Sequence, residues 1–565
     1  MNNVGTVFLQ VPANSSTLAT KMPRTDVGAP IYLLVTAAAN NGDFTNEANV
    51  TKIEMTLNGD YLEATYNFTD GDYFTFASEV SCIGPAGIAS NLELWLKAND
   101  GTDATAQDEV IGTWTDASEK GNHGTGRNNP EFQATGDGVV NYNPSVAFNG
   151  TSNYFELPDG FEDFTGGASS FVIRKDFGTR DSYGRFFHLS TGGMNNAYIF
   201  GRNGTTNQSY WTVRSATAGN PFTFTTTTNQ LPFSDIPNLL SYTQEGGFPL
   251  ETGKELRSFF NGELDITTNS AVVPTKVLRT LNNIGKSHTT EYMNGYIPEF
   301  IIYTEQLTDL QAQKVSTSLG LKYGLSFNHN YISPAYDGTN AATETLYDIT
   351  SYNNRIFGVG YDKMGCLSQN QSTSQLDGSL IRISVDGVLN PLNSADNTVW
   401  TADRSFIVMG DDDKDITTFV KAGQGANEPL PAIYEDCFIY RLNRNWKVQV
   451  KGAIVPDVFI SILANSSSED TKLPTFPDLG TLRSYESNSV YVVLNDNQDF
   501  TVNANMQEVA LTYNATTDAY EGTITVNPSE LANHTFYYTV VSKISPSRTC
   551  CLKSNNNIKN AYESN

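Results

Sequence analysis

The sequence predicts a mainly β protein made of several β-sandwiches, and three observations support this prediction. Short runs that alternate apolar and polar residues are separated by Asn-Gly and Asp-Gly pairs, which is typical of antiparallel strands joined by tight hairpins. One strand-like phrase occurs twice, as VFLQVPANSS at residues 7–16 and as VFISILANSS at residues 458–467. Only residues 308–320 have a convincing helical pattern. We therefore expect an array of β-modules with one notable helix.

The repeated phrase opens a longer repeat. Residues 29–79 and 488–543 carry the same order of signals: an apolar strand, a polar turn, an alternating strand and a closing aromatic strand. The matching positions are Tyr32 and Tyr491, Asp43-Phe44 and Asp499-Phe500, Asn58-Gly59-Asp60 and Asn514-Ala515-Thr516, and Tyr73-Phe74 and Phe536-Tyr537. Repetition of one module indicates an array of units rather than one compact enzyme. Two unrelated hairpin modules of similar composition are the alternative.

The segments that precede the two copies differ. The second copy follows NWKVQVKGAIVPD at residues 445–457, and the first copy has no such lead-in. We therefore expect residues 1–84 to close a preceding unit whose opening strand lies elsewhere.

Between the copies lies a region of short strands with frequent turns, which is typical of a β-sandwich. In NLELWLKA, Leu92, Leu94 and Leu96 alternate with other residues and give the strand one core face. SVAFNGTSNYFEL, at residues 145–157, reads as a hairpin turning at Asn149-Gly150.

The helix at residues 308–320 ends this region. Thr308 and Gln311 form a capping-box pair at its start, and Leu310, Val315 and Leu319 give a narrow apolar stripe. The predicted domains are a closing β module (1–84), a sandwich (85–325), a β-rich module (326–444), the second closing module (445–545) and a polar tail (546–565).

Composition and charge exclude several functions. The chain has 565 residues, a formal net charge of −26 and 39% hydrophobic residues. No basic stripe is present to bind phosphates, so nucleic acid is not an expected partner, and anionic membranes are disfavoured. No apolar run is long enough to span a membrane, and no secretory signal is visible. The five cysteines are scattered, and we expect neither a disulfide framework nor a zinc site.

Several phrases resemble a known family. NLELWLKA, TWTDASEKGNHGT, VAFNGTSNYFEL, IPEFIIYTEQLTD and LGLKYGLSF look like the laminin-G-like (concanavalin-A-like) jelly-roll modules of large secreted or cell-surface, adhesin-like proteins of Bacteroidota. The resemblance covers roughly residues 4 to 545 and implies a jelly-roll sandwich followed by further β-sandwich modules. It also implies a non-catalytic protein exported by the type IX route, although the sorting domain of that route is not recognisable here.

One pair of carboxylates partly matches a catalytic pattern. Concanavalin-like glycoside hydrolases use a signature resembling E-x-D-x-x-E, because hydrolysis requires an acid and a nucleophile on either side of the bond. Here Glu263 and Asp265 share a strand face, but Thr268 stands where the acid should be. We expect a surface hairpin turned by Asn261-Gly262. The five histidines form no close pair in the sequence, and we expect them to be surface or packing residues.

Two acidic clusters are candidate calcium sites, since hard oxygen ligands at β-turns suit this ion. One cluster is Asp411, Asp412, Asp413 and Asp415 in GDDDKD, and the other is Asp100, Asp103 and Asp108 on the loop after NLELWLKA. Solvated acidic turns are the alternative for both.

Sugar binding requires aromatic faces for stacking and nearby polar groups for the hydroxyls. The candidates with that chemistry are Tyr183, Arg185, Asn195, Asn196, Tyr198, Tyr210 and Trp211. Alternation places Tyr210 and Trp211 on opposite faces, so at most one of the two is expected to be exposed.

These observations predict a non-catalytic extracellular adhesin segment, displayed on the cell surface, whose partner is a surface glycan or a protein. Repeated weak contacts would add up through effective concentration. Open sheet edges also permit self-association. The alternatives are a carbohydrate-active enzyme module and a structural filament, stalk or virion fibre subunit.

Overall fold

A computed structural model gives the structure of the chain, which is mainly β. The described residues are 3–12, 31–40, 42, 44, 49–58, 61–78, 82–176, 182–206, 208–214, 222–225, 236–334, 343–393, 400, 402–415, 419–421, 438–452, 456–463, 490–496, 498, 507–525 and 535–544. They form two compact units, residues 1–87 with 363–366, and residues 88–362 with 367–565. The predicted tail, residues 546–565, lies outside the described residues.

The described residues of the first unit form six strands in two antiparallel sheets. The strands are β1 (Asn3–Pro12), β2 (Ile31–Thr36), β3 (Val50–Glu54), β4 (Thr56–Asn58), β5 (Tyr61–Thr69) and β6 (Tyr73–Ser78). One sheet has the order β1-β5-β4 and the other the order β3-β2-β6. The buried core side chains are Ile31, Leu33, Val35, Met55, Leu62 and Ala64. Leu9, Val11 and Phe76 pack against this core but are only partly buried.

A disulfide lies within the first unit. It joins Cys82 to Cys366, which is the last residue of the 363–366 segment. The backbone N–H of Ile83 also donates to the carbonyl oxygen of Met364 at 3.2 Å, so the two segments are hydrogen-bonded as well. The sequence predicted no disulfide framework, and it did not predict this bond. A sequence separation of 284 residues leaves no local spacing from which the pair could be predicted.

The first part of the second unit is a sandwich of two eight-stranded sheets, which confirms the predicted jelly-roll class. Its strands are β7 (Leu92–Lys97), β8 (Thr113–Trp114), β9 (Gly124–Arg127), β10 (Glu131–Gln133), β11 (Ser145–Asn149), β12 (Tyr154–Leu157), β13 (Gly167–Lys175), β14 (Arg185–Ser190), β15 (Tyr198–Arg202), β16 (Ser209–Val213), β17 (Phe222–Thr225), β18 (Asn238–Glu245), β19 (Lys254–Phe260), β20 (Glu263–Ala271), β21 (Leu281–Ile284) and β22 (Asn294–Tyr303). A short helix, α1 (Ala98–Gly101), follows β7.

The two sheets of the sandwich enclose one core. One sheet has the order β10-β11-β22-β13-β18-β19-β20, with β7 paired to β22. The other has the order β17-β16-β15-β14-β21-β12-β9-β8. Their inner faces bring together Leu94, Phe148 and Phe300 from the first sheet with Phe187 and Trp211 from the second.

Of the two predicted hairpins in this region, one is present and one is not. β19 and β20 pair through Phe260 and Glu263, and Asn261 and Gly262 turn with φ of 47° and 72°, as a two-residue hairpin requires. Residues 145–157 instead form a corner, because β11 pairs with β10 and β22 whereas β12 pairs with β9 and β21 in the other sheet. Apolar alternation shows which face of a strand is buried but does not identify its partner.

The predicted helix is α2 (Asp309–Tyr323). The Gln311 backbone N–H donates to Thr308 Oγ1 at 3.3 Å, and the Thr308 N–H donates to Gln311 Oε1 at 2.9 Å, which confirms the capping box. Near the other end, Lys322 Nζ donates to Glu299 Oε2 at 2.7 Å and Tyr323 Oη donates to the same oxygen at 2.8 Å. Glu299 lies on β22, so this buried network holds the helix to the sandwich.

The second part of this unit is a twelve-stranded sheet with one two-stranded addition, β23 paired with β24. The strands are β23 (Tyr331–Pro334), β24 (Thr343–Tyr347), β25 (Asn354–Asp362), β26 (Leu367–Gln369), β27 (Gln371–Thr373), β28 (Ile381–Ser384), β29 (Ser405–Asp411), β30 (Phe419–Lys421), β31 (Phe438–Lys451), β32 (Val458–Leu463), β33 (Val490–Asn495), β34 (Gln507–Asn514), β35 (Ala519–Ile524) and β36 (Thr535–Ile544).

The twelve-stranded sheet surrounds a single core. Its order is β26-β25-β29-β31-β36-β33-β34-β35-β32-β28-β27, with β30 paired to β31. The end strands β26 and β27 are separated along the chain only by Asn370, so the two ends of the sheet meet. The predicted module boundary at residues 444 and 445 falls inside β31.

Residues 458–544 reproduce the strand pairing of the first unit. β32 pairs with β35 and β33 with β36, as β1 pairs with β5 and β2 with β6. β34 pairs with β33 along its first part and with β35 along its last part. In the first unit two consecutive strands take its place: β3 pairs with β2, and β4 pairs with β5. The order of five strands is therefore the same in both segments.

The match extends to individual residues. Phe8 lies opposite Thr65 in the first unit, and Phe459 lies opposite Thr523 in the second, so the two repeated phrases occupy equivalent positions. Side-chain contacts also recur: the amide of Asn58 donates to Glu63 at 3.1 Å, and that of Asn514 donates to Glu521 at 2.8 Å.

One predicted match shifts by a residue. In the first unit, Tyr73 lies opposite Thr36 and Phe74 lies opposite Val35. Thr36 and Val35 are equivalent to Asn495 and Leu494, which lie opposite Tyr537 and Tyr538. Tyr73 and Phe74 are therefore equivalent to Tyr537 and Tyr538, not to Phe536 and Tyr537.

Candidate functional site

Three of the predicted sugar-stacking aromatics are buried. Tyr198 and Trp211 point into the sandwich core, where their rings meet edge to face with centroids 4.7 Å apart. Trp211 Nε1 donates to Gln244 Oε1 at 2.9 Å. Tyr210 lies on the opposite face, as alternation predicts, but it too is buried, beside Ile199. The prediction that these three residues stack on a sugar was therefore wrong, because both faces of β15 and β16 are covered.

Tyr183 differs from these residues because 45% of it is exposed. It lies just before β14 and has a positive φ of 58°. Its backbone N–H donates to the carbonyl oxygen of Gly204 at 3.0 Å, and the Arg202 N–H donates to the carbonyl oxygen of Gly184 at 2.8 Å. These bonds hold the turn in place, so the exposed ring has a defined position.

The buried side chain of Arg185 packs against this turn. Its guanidinium lies 5.6 Å from the centroid of the Tyr183 ring and 4.9 Å from that of the Tyr210 ring. It also donates to the Tyr183 carbonyl oxygen, and it lies 3.9 Å from a carboxylate oxygen of Glu291. Arg185 is buried, so it orients the aromatic side chains and is not itself an exposed ligand group.

Glu291 is partly exposed and remains charged. Burial raises the pKa of this carboxyl, but hydrogen bonds from the hydroxyls of Ser287 and Thr289, together with the charge of Arg185, more than offset it, so the pKa lies below its usual value. The Thr289 bond measures 2.7 Å. A carboxylate with a free side toward solvent can accept hydrogen bonds from hydroxyl groups.

Two histidine rings lie close together near Arg185 and Glu291. The rings of His188 and His288 have centroids 5.2 Å apart. His188 Nε2 donates to the Gly193 carbonyl oxygen at 2.9 Å, and burial lowers the pKa of His188 to about 4. The sequence shows no such pair because 100 residues separate the two histidines, and buried His188 is a packing residue, as expected. The alternation of RFFHLS, which places His188 opposite Phe187 and Leu189, is the one sequence signal of its position.

The predicted asparagines lie in the turn between β14 and β15, at the opposite end of β14 from Tyr183. Asn195 is exposed. Asn196 is buried, and its carbonyl oxygen accepts a hydrogen bond from Arg279 Nε at 3.0 Å. We use the name Tyr183 surface for the exposed ring of Tyr183 and the partly exposed carboxylate of Glu291, together with buried Arg185, which lies beside both.

The acidic cluster at residues 411–415 is held by protein cations. Arg355 donates to both carboxylate oxygens of buried Asp411 at 2.7 and 2.8 Å, and it also pairs with Asp413. Asp412 accepts the Asn445 backbone N–H at 3.1 Å, and Asp415 is exposed. A calcium ion at Asp411 would have to displace Arg355, and calcium binding by this cluster stays a prediction.

The other acidic cluster is also engaged by protein donors. Asp100 pairs with Lys97 at 2.7 Å, Asp103 accepts the Gly112 and Thr113 N–H groups at 2.9 Å each, and Asp108 accepts the amides of Gln107 and Gln133. Among the described residues, no three His, Cys, Asp or Glu side chains are grouped as they would be around a metal ion.

Comparison with known proteins gives a partial family match. Residues 311–534 match the model of a domain of unknown function, DUF8202, which is less than half of the chain. No curated protein matches the chain.

Several solved structures are similar at low identity. Domain 4 of AbnA, an extracellular GH43 arabinanase from Geobacillus stearothermophilus, solved with arabinotriose, is 16% identical with a TM-score of 0.30, covering 40% of this chain and 98% of that one. The sialidase CBM40 of Ruminococcus gnavus, bound to α2,3-sialyllactose, is 12% identical with a TM-score of 0.22, covering 28% and 91%. The binding domain of botulinum neurotoxin serotype D is 11% identical with a TM-score of 0.33, covering 81% and 98%. Similarity at this level gives no basis for assigning a ligand.

Proposed function

We propose that this chain is a non-catalytic extracellular protein that binds glycans through the Tyr183 surface and acts in adhesion. The observation that carries the proposal is the exposed ring of Tyr183 on a turn fixed by Gly204 and backed by buried Arg185. Aromatic faces stack on the CH groups of sugars, and a rigid aromatic loses little conformational freedom on binding. The partly exposed carboxylate of Glu291, joined to Arg185, supplies acceptors for sugar hydroxyls.

Two further observations support an extracellular location. A disulfide joins Cys82 and Cys366, and disulfides persist mainly in oxidising compartments. The net charge of −26 favours solubility and disfavours nucleic acid, which is an intracellular partner. In the part of the chain that the structure describes, no helix is long and apolar enough to cross a membrane.

A glycan array tests the proposal. We expect the full chain to bind a subset of glycans, and Tyr183→Ala to weaken that binding roughly tenfold, or about 1.4 kcal/mol. Tyr183→Phe should keep most of the affinity, because the ring remains. Phe248→Ala is the matched control, since Phe248 is an aromatic side chain of the same sandwich that is 81% exposed.

Three outcomes would overturn the proposal. They are the absence of glycan binding by the wild-type chain, equal losses for Tyr183→Ala and Phe248→Ala, and release of reducing sugar from a polysaccharide panel. Thermal melting of each variant shows whether a loss of binding reflects unfolding.

A further inference from the structure

Each sheet of the first unit has one end strand whose equivalent in residues 458–544 pairs with a further strand. These end strands are β1 and β6, and in the described part of the chain no strand pairs with their outer edges. The equivalent strands, β32 and β36, are paired on those same sides, β32 with β28 and β36 with β31. The same five-strand arrangement therefore occurs twice in the chain. At these two edges the copy in residues 458–544 has neighbouring strands, and the copy in the first unit has none among the described residues.

A pair of equivalent residues shows what is missing at β6. Phe74 is 48% exposed, whereas its equivalent Tyr538 is 1% exposed. Tyr538 is covered by Trp446 of β31, whose ring stacks on it with centroids 5.1 Å apart and planes at 5°. Phe74 instead meets Phe68 and Phe76 edge to face, with ring centroids 5.6 and 6.0 Å apart. In the described residues, no ring from a strand like β31 stacks on Phe74.

The edge at β1 shows the same difference. Phe8 is 57% exposed on this strand. Leu9 and Val11 are only partly buried, whereas their equivalents Ile460 and Ile462 are fully buried beside the neighbouring strand β28. The core of the first unit is therefore open along both edges at once.

We propose that the first unit binds two strands of a separate protein, one along β1 and one along β6. The partner carries strands like β28 and β31: an alternating aliphatic strand of the form Ile-x-Ile for β1, and a strand with an aromatic residue opposite Phe74 for β6. Unpaired backbone groups at a sheet edge form hydrogen bonds with an added strand, and side-chain pockets give the specificity. Burial of Phe8 and Phe74 supplies the apolar contribution.

A peptide with the sequence of residues 442–451, LNRNWKVQVK, is the probe for the β6 edge. Added to the full chain and followed by fluorescence anisotropy, it should bind in a saturable way and protect residues 73–78 from hydrogen exchange. The same peptide with alanine in place of Trp446 should bind at least tenfold more weakly, and this comparison leaves the protein unchanged. Phe74→Lys in the chain should weaken binding by a similar factor, and Phe248→Lys should not.

Several results would overturn the proposal. Absence of binding, equal binding of the two peptides, or protection at residues 535–541 instead of 73–78 would each do so. Sedimentation velocity of the full chain alone addresses self-association: a dimer abolished by Phe74→Lys would identify a second copy as the occupant, in place of a separate protein. None of these measurements involves glycans, so their failure is distinct from failure of the proposed glycan binding.

Discussion

At the scale of single residues, burial decides which predicted side chains can bind a ligand. Alternation correctly places Tyr210 and Trp211 on opposite faces, yet both are buried because the outer face of β16 is covered as well. Of the predicted aromatic candidates, Tyr183 alone is exposed, since it lies in a turn and not in a strand. The sequence predicts the face of a strand residue through its period of two, but exposure depends on which distant segments cover that face.

His188 makes stability depend on pH. Its pKa of about 4 in the fold lies below the usual value near 6.5, so the unfolded chain binds the extra proton as the pH falls. Stability is therefore fully present above about pH 6.5 and is lost as the pH falls toward 4. The groups that face His188 are His288, Arg185 and Glu291.

Urea unfolding of the wild type and of His188→Gln at pH 7 and pH 5 measures this effect. Glutamine keeps an N–H for the Gly193 carbonyl but does not titrate. We expect the wild type to lose about 2 kcal/mol more than the variant between the two pH values. Equal losses would show that His188 does not set the dependence.

At the scale of elements, local signals predicted helices and tight turns better than strand partners. The capping box at Thr308 and the Asn261-Gly262 hairpin each rest on a few adjacent residues, and both are confirmed. The corner at residues 145–157 was mistaken for a hairpin because its two strands find distant partners: Val146 pairs with Ile297, and Tyr154 with Arg127. The repeat of residues 7–16 at 458–467 is the exception, since similar sequences adopt the same pairing.

Replacement of the helix cap tests the contribution of a local signal to the sandwich. Thr308→Ala removes the side chain that accepts the Gln311 N–H and should lower the free energy of unfolding by about 1 kcal/mol. Thr308→Ser keeps the hydroxyl and serves as the control. Thermal or urea unfolding of both variants gives the comparison, and an unchanged stability for Thr308→Ala would contradict the prediction.

At the scale of the whole molecule, the sequence predicted an array of β-modules but not its covalent closure. Composition and turn spacing suffice for the β class, because they reflect many residues at once. The Cys82–Cys366 bond depends on one pair of residues brought together by the fold, and the sequence around either cysteine carries no signal that predicts the pairing.

Removal of this bond should destabilise the first unit. For Cys82→Ser we expect a loss of about 2–4 kcal/mol, because the closed loop restricts the unfolded chain. Calorimetry of Cys82→Ser, Cys366→Ser and the double variant should give the same decrease for all three. Free thiols at both positions in the unreduced wild type, found by peptide mapping, would refute the pairing.

The same bond alters how the chain would respond to mechanical load. If tension is applied to the polypeptide before Cys82 and after Cys366, the force passes through the sulfur–sulfur link and bypasses the 283 residues between them. The sandwich lies within that bypassed stretch, so it would stay folded while segments outside the loop extend. The Tyr183 surface lies in that stretch, so the proposed glycan-binding site would keep its shape during a pull that extends the segments outside the loop.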